Sequence, residues 1–407
     1  MITFSRALEI VKENALTPHS EKIPLELSMG RVLMANLSAD RDMPPFNKSA
    51  VDGFACRKED LGGPAGGKFE KGLKITETIP AGSMPVSVVG EGECSRIMTG
   101  AMLPVGADFV IMKEDVYEGD GYIMLSSGSA PTGRGSNICL RGEDFKKGDL
   151  LIKAGTIIGA SHVAVIASAG VMLPEVGVAP VAGIISTGDE IVEPDHLPED
   201  FQIRDSNGVQ LSVQAGRYCS KINRYGVVKD RREDLAKILS KAEGECDIII
   251  LTGGVSMGDF DFVPEVLNEL GFNILFDKIA VQPGKPSTFA VKESPFGKRV
   301  VFALPGNPVS SFLQFELLVK PFIYRSMGGD FTPVKVTVRA AKRYSRRNSE
   351  RTAFFPVYLN PDGTFSPVGY NGSAHILAMT VADGVACIPV GKGEINEGEF
   401  ADVIILG

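Results

Sequence analysis

The sequence predicts a multidomain protein of the α/β plus β class: a three-layer α/β/α domain, a β-rich inserted domain, and a small C-terminal β domain. Three observations carry this reading. First, Val181–Ile185, Cys246–Leu251 and Val300–Leu304 are continuous apolar runs separated by helical patterns, as expected of strands buried on both faces of a parallel sheet. Second, residues 46–145 hold short apolar runs broken by Gly and Pro clusters, which suggests short strands and turns. Third, residues 332–407 alternate apolar and polar positions between glycine turns. A chain of 407 residues is also too long for one hydrophobic core.

In chain order, Phe4, Leu8, Val11 and Ala15 repeat at helical spacing, and Pro18 ends the pattern. Residues 23–45 read as an extended segment leading to Pro44 and Pro45. Runs such as Phe109–Met112 and Tyr122–Leu125 supply strands to the inserted domain. Residues 159–170 read as a helix of small residues, and 174–180 as a linker. Within the α/β domain, helices are expected over 208–218, 231–243 and 262–270, with a last one from Pro308 to about 326. The domains are placed at 1–45 with 146–177 (a discontinuous linker domain), 46–145, 178–327 and 328–407.

Composition excludes several classes. The formal charge of −8, from 42 basic and 50 acidic side chains, argues against general nucleic-acid binding, which needs a basic footprint. The six cysteines form no CxxC pair, and the histidines 19, 162, 196 and 375 show no metal spacing, so neither zinc nor a disulfide framework is expected. No signal-peptide core is legible, and the longest apolar stretch, Val163–Leu173, is well short of the ~18 residues that a membrane span needs. A reduced, cytoplasmic protein is the expectation.

The chemistry gathers where the three buried strands end. Ile185 leads into Ser186-Thr187-Gly188-Asp189-Glu190, Leu251 into Thr252-Gly253-Gly254-Val255-Ser256, and Leu304 into Pro305-Gly306-Asn307-Pro308, with Ser310 and Ser311 following. In an open α/β sheet ligands bind outside the carboxyl ends of the strands. Glycine lets the backbone approach a ligand and turn its N–H groups toward it, and a helix starting at Pro308 favours an anion. A single such loop is explained by a tight turn; three in one sheet point to a phosphate-bearing ligand. Asp189, Glu190, Asp230, Asp259 and Asp261 sit among these loops, where a hard cation such as Mg²⁺ would reconcile carboxylate with phosphate. Asp189 and Asp259 are expected to be helix caps. Lys278 and Lys285 flank a Pro-Gly turn, and Lys342, Arg343, Arg346, Arg347 and Arg351 form a second basic cluster. No Ser/His/Asp or Cys/His arrangement supports covalent catalysis.

Taken together, the segments Pro45–Ala55, Arg96–Ala101, Ile185–Glu190, Thr252–Ser256, Gln282–Pro286 and Leu304–Ser310 resemble the molybdopterin molybdenumtransferases, the MoeA family, which is related to the E domain of gephyrin. The motifs follow in order along essentially the whole chain. The resemblance implies a molybdopterin-binding α/β domain and an enzyme that takes adenylylated molybdopterin and molybdate, inserts the metal, and releases AMP with Mg²⁺. It also implies a homodimer, with an upstream molybdopterin adenylyltransferase and downstream molybdoenzymes as partners. Carried over by position, it assigns catalytic roles to Asp52, Thr99, Asp144, Glu190, Asp230, Asp261 and Lys278, with Asp230 and Asp261 toward the metal ion. Gly253, Gly254, Ser256, Lys285, Pro305, Gly306, Asn307 and Ser310 fall to substrate binding, and Arg351 and Ser373 to the oxyanion. One departure stands out: where many relatives carry a lysine, this chain has Gln282, so Lys278, Lys285 and Arg351 are expected to supply the positive field. The alternatives are another enzyme on the same α/β unit, a pterin nucleotidyl transferase or pyrophosphatase, and, of a different class, a silent molybdopterin-binding scaffold.

Overall fold

The computed structural model describes residues 1–61, 72–126, 135–254, 262–295, 297–369 and 372–406. These fall into two compact units. One comprises Met1–Ala35, Lys153–Ala164 and Met172–Gly407; the other comprises Asn36–Ile152 and Val165–Val171. Among the described residues no helix is long and apolar enough to cross a membrane.

The first unit is built on a six-stranded sheet whose spatial order is Lys221–Val228, Val181–Thr187, Ile248–Thr252, Gly297–Leu304, Pro286–Ser294, Asn273–Lys278. The three apolar runs read from the sequence are its parallel centre: Ile184 faces Ile250, and Ile250 faces Phe302. Side chains alternate across these strands. Ile248 and Ile250 join a core with Leu211 and Leu313 of the helices on one face, while Ile249 and Leu251 join Leu235, Leu239 and Val266 of the helices on the other. This alternation makes the three layers.

Two expectations are corrected here. The sheet is mixed, since Pro286–Ser294 and Asn273–Lys278 add antiparallel strands at one edge. The helix-strand alternation ends at Val263–Glu269, and a hairpin, which needs no crossover helix, completes the sheet. At the other edge lies a parallel strand, Lys221–Val228, that the apolar-run criterion overlooks because Lys221, Asn223 and Arg224 interrupt it. In the segment expected to be a linker, Glu175–Gly177 is instead a short strand pairing with Ser20–Lys22.

The helices follow the periodicity closely: Phe4–Glu13, Ser206–Gly216, Arg232–Glu245 and Val263–Glu269. After Pro308 the chain stays helical through Ser326, with a π turn at Phe315–Val319. The last segment closes on itself. Thr352–Leu359, Thr364–Pro367, Lys335–Ala340, Phe400–Ile405 and Gly384–Ile388 pair in a ring around Phe355, Val357, Phe365 and Val403. Val281–Gln282 adds to this barrel alongside Thr352–Ala353, and so joins the α/β domain to it. In the second unit, Phe109–Met112, Gly53–Cys56, Glu93–Ile97, Leu73–Ile79, Tyr122–Leu125 and Val116–Gly119 form a six-stranded sheet, in keeping with the β-rich reading.

Candidate functional site

The carboxyl ends of the parallel strands open into a cavity of about 550 Å³. The sheet order runs outward in both directions from Val181–Thr187, so the cavity lies at a switch in topology, where the crossovers diverge and leave a crevice. Ser186 and Thr187, Thr252 to Gly254, and Pro305 to Asn307 line it, with Glu190 and Asp230 beside them. The three glycine loops are thus brought together as the sequence predicts.

Their packing is tight for a reason visible in the backbone. Gly253 sits at φ +94°, and a Cβ there would lie 2.1 Å from the carbonyl oxygen of Thr187. Any other residue would force two strand ends apart. Thr187 donates its hydroxyl to Asp230, which holds that carboxylate at the cavity rim.

Asn207 joins two of the loops: its Nδ2 donates to Thr252 Oγ1 at 3.0 Å and to the Gly306 carbonyl at 2.7 Å. Thr252 Oγ1 lies 3.2 Å from the Pro305 carbonyl it can donate to. Beneath them the buried Asp205 caps the helix Ser206–Gly216, accepting from the Gly208 N–H at 2.8 Å and from Ser186 Oγ at 2.9 Å. Arg224 neutralises it at 2.9 Å and reaches Glu193 at 2.7 Å. Asp205, Asn207 and Arg224 escaped the sequence reading. An Asp-Ser-Asn-Gly run just before a helical pattern is the capping signal that marks the first two.

One expectation about Asp189 is overturned. The loop after Thr187 does not enter a helix but a short strand, Ile191–Val192, so Asp189 caps nothing, and its carbonyl accepts from Lys229 at 3.1 Å. The helix read over 208–218 begins at Ser206, and Asp205 is the residue that caps it.

A second cavity of about 350 Å³ adjoins the first; Pro286, Pro305 and Asn307 line both. Lys285, Ser310, Arg351 and Ser373, separated widely in sequence, converge in it. Each is placed by a different element. Ser310 rides on the helix Pro308–Gln314, and the Val309 N–H donates to the Ser373 carbonyl at 3.0 Å. Pairing of Val281–Gln282 with the barrel sets Arg351 next to the Pro-Gly turn. Arg346, of the same basic cluster, spends its guanidinium on its own loop, donating to the carbonyls of Arg351, Lys392 and Pro389. Burial and the neighbouring Arg351 lower its pKa, with burial the larger cause and Tyr344 and Cys387 opposing. Two cations and two hydroxyls facing one small space suit a compact oxyanion. Gln282 lines the same space and contributes an amide but no charge.

Other expected residues lie elsewhere. Lys278 ends the edge strand with its ammonium 3.6 Å from Asp277, and it is not among the residues lining either cavity. Asp52, Thr99 and Asp144 belong to the second unit. There Asp52 accepts from both the Thr99 hydroxyl at 2.7 Å and the Thr99 N–H at 2.8 Å, with Lys113 at 3.8 Å. The Thr99 hydroxyl, then its N–H, hold the Asp52 carboxyl below its ordinary value. Asp144 is exposed, and its N–H donates to the Met43 carbonyl at 3.0 Å. Ser256, Asp259 and Asp261 fall outside the described residues. Among the described residues no group of three or more His, Cys, Asp or Glu is placed to hold a metal ion by itself.

Comparison with known proteins places these cavities in context. Residues 2–170 match the model of the MoeA N-terminal region (domain I and II). Residues 183–325 match a "probable molybdopterin binding domain", and 337–406 match the MoeA C-terminal region (domain IV). The chain is 32% identical over 407 residues to a molybdopterin molybdenumtransferase of Staphylococcus epidermidis, covering 99% of this chain and 95% of that one. It is 33% identical over 387 residues to the enzyme of that name from Staphylococcus aureus, covering 94% and 90%. Among solved structures, a molybdopterin biosynthesis MoeA protein from Pyrococcus horikoshii OT3 superposes with a TM-score of 0.80 at 29% identity over the full length of both chains. A second structure of a protein of that name and genus gives 0.74 at 31%, covering 100% of this chain and 99% of that one.

Proposed function

Because this chain belongs to the MoeA family of molybdopterin molybdenumtransferases, transferases of molybdenum cofactor synthesis, we propose that it inserts molybdate into adenylylated molybdopterin and releases AMP. The observation that carries this reading is the adjacency of the two cavities. One is lined by glycine loops suited to a phosphate-linked ligand, the other by cations and hydroxyls suited to an oxyanion, and Pro305 and Asn307 form the wall between them.

In this reading the protein acts by positioning and charge. The loops at Gly253, Gly254 and Gly306 cradle the pyrophosphate of the adenylylated pterin, and Lys285, Arg351, Ser310 and Ser373 hold molybdate next to it. Bringing two reactants to adjoining sites removes the entropic cost of their encounter. Fixed donors around the oxyanion balance its charge without reorganising. No side-chain nucleophile is required.

The donor set at the rim fits Mg²⁺. Glu190 and Asp230 offer carboxylate oxygens, and Mg²⁺ is commonly held by one or two carboxylates together with substrate phosphates, so a dedicated cage of three protein ligands is unnecessary. When bound, the ion would neutralise phosphate charge as AMP departs. Asp261 belongs to the same assignment. Asp52, Thr99 and Asp144 are assigned to the reaction by the family resemblance, as is Lys278. The resemblance likewise supports a homodimer, cytoplasmic location, supply by a molybdopterin adenylyltransferase and delivery to molybdoenzymes; sedimentation of the purified protein tests the first.

The reaction itself is the test. Purified protein receives adenylylated molybdopterin, Mg²⁺ and molybdate, while AMP release and reconstitution of an apo-molybdoenzyme are followed. AMP release coupled to activation that requires molybdate is expected. Tight pterin binding with no AMP would overturn the proposal in favour of a silent scaffold.

A further inference from the structure

We infer that Gln314, which lines neither cavity, is the positioning residue that sets the span between Lys285 and Ser310 and thereby the size of the oxyanion site; this rests on reading the second cavity as that site. Ser310 and Gln314 stand one turn apart on the helix Pro308–Gln314, so they share a face. Ser310 turns toward the cavity, and Gln314 meets the Pro-Gly turn that carries Lys285.

The contact is specific. Gln314 Nε2 donates to the Gly284 carbonyl at 2.6 Å, and Ser287 Oγ donates to Gln314 Oε1 at 2.5 Å. The Gly284 carbonyl can only accept, so the amide has one possible orientation, with its oxygen toward Ser287. Both side chains are buried, Gln314 at 4% and Ser287 at 2% exposure, so neither bond is exchanged for water at no cost.

Helix and turn meet more closely than a side chain at the turn allows. Gly284 has φ +99°, and a Cβ there would lie 2.4 Å from Gln314 Nε2. On the far side of the turn the Lys285 carbonyl accepts from the Ile279 N–H at 3.0 Å. The backbone of Lys285 is therefore pinned from both sides: to the edge strand by Ile279, and to the helix of Ser310 by Gln314. A long lysine side chain can address a fixed point only if its base is fixed, and the oxyanion site is where that matters.

The inference separates position from contact, and kinetics can read the difference. Gln314→Leu keeps the bulk of the side chain and removes both hydrogen bonds. It is expected to raise the molybdate concentration for half-maximal AMP release about tenfold, since misplacing a positioned group by a fraction of an ångström weakens its transition-state contacts. Calorimetric affinity for AMP, a ligand of the other cavity, should stay within about twofold, as neither Gln314 nor its partners Gly284 and Ser287 line that cavity. Ser287→Ala, the milder variant should Gln314→Leu fold poorly, should shift the same constant in the same direction. The double variant should be no worse than Gln314→Leu alone, because the two residues act as one unit.

Lys285→Ala serves as the reference. If it raises the molybdate constant while Gln314→Leu and Ser287→Ala leave it unchanged, the positioning role is refuted and the oxyanion site stands. If none of the three moves it, both the role and the site assignment fall. Equal weakening of molybdate and AMP by Gln314→Leu also overturns the inference, since it would mean a general loosening of the domain.

Discussion

Gly306→Ala separates two reasons for a glycine at a strand end, a tight turn or a close ligand. Unlike Gly253, Gly306 has no positive φ, and a Cβ built on it meets only the Cα of Gly253 at 3.6 Å, an ordinary contact. The fold therefore has no need of glycine there. Alanine at a compatible position should stabilise by about 0.4–1 kcal/mol, through lost freedom in the unfolded chain. Gly306 lines the first cavity, however, so if its loop cradles the phosphates of the proposed ligand, the added methyl should lower AMP affinity tenfold or more, about 1.4 kcal/mol. Gly253→Ala is the counterpart. Strain at φ +94° costs about 1–3 kcal/mol, and the 2.1 Å clash with the Thr187 carbonyl adds to it, so this variant should lose stability as well as affinity. Urea unfolding midpoints and calorimetric AMP titrations of the two variants supply all four values. Wild-type AMP affinity in Gly306→Ala would refute the role of that loop as a phosphate cradle.

Three further expectations follow from the same geometry. Asp230→Asn can still accept from the Thr187 hydroxyl, so it should preserve folding and pterin binding but raise the Mg²⁺ concentration needed for AMP release; an unchanged Mg²⁺ dependence would sink its assignment to the metal. Thr99→Val removes the main donor that depresses Asp52, so the Asp52 carboxyl should titrate closer to 3.8, as carbon NMR of the side chain would show. The sign is that of a depressed carboxylate: its stabilising contribution is full above 3.8 and is lost as pH falls through the lower folded value, so the variant should have less acid-dependent stability to lose. Lys320→Met leaves the buried Glu316 carboxylate, now 3.1 Å from Lys320, with Gln214 as its remaining donor at 2.8 Å. Removing one partner of such a pair should cost about 3 kcal/mol in urea unfolding, and Lys320→Met with Glu316→Leu should recover most of it.

The amino-acid sequence by itself determined the centre of the α/β domain, because strands buried on both faces carry continuous apolar runs, and Ile248–Leu251 and Val300–Leu304 are such runs. It also determined that the glycine loops share one sheet edge, since consecutive parallel strands all end on the same side. Helix spans followed from apolar spacing, and the motifs led to the family. What it did not show has equally physical causes. The edge strand Lys221–Val228 is half solvated and so lacks the buried signature, and the antiparallel pair Pro286–Ser294 and Asn273–Lys278 leaves no crossover helix to betray it. Asp189 and Asp205 look alike as capping residues; only the folded chain shows which one begins a helix. The residues that hold the site in shape, Asn207 and Gln314, are uncharged amides whose partners lie 45 and 30 residues away; the capping run places Asn207 at a helix start, but nothing local marks Gln314 or shows what either amide bonds. Lys285, Ser310, Arg351 and Ser373 became one site only in three dimensions, because the two residues Val281 and Gln282 pair with a barrel strand that begins at Thr352. Local physics writes strands, helices and loops into neighbouring residues, whereas the second cavity depends on contacts between distant segments, which exist only once the chain has closed on itself.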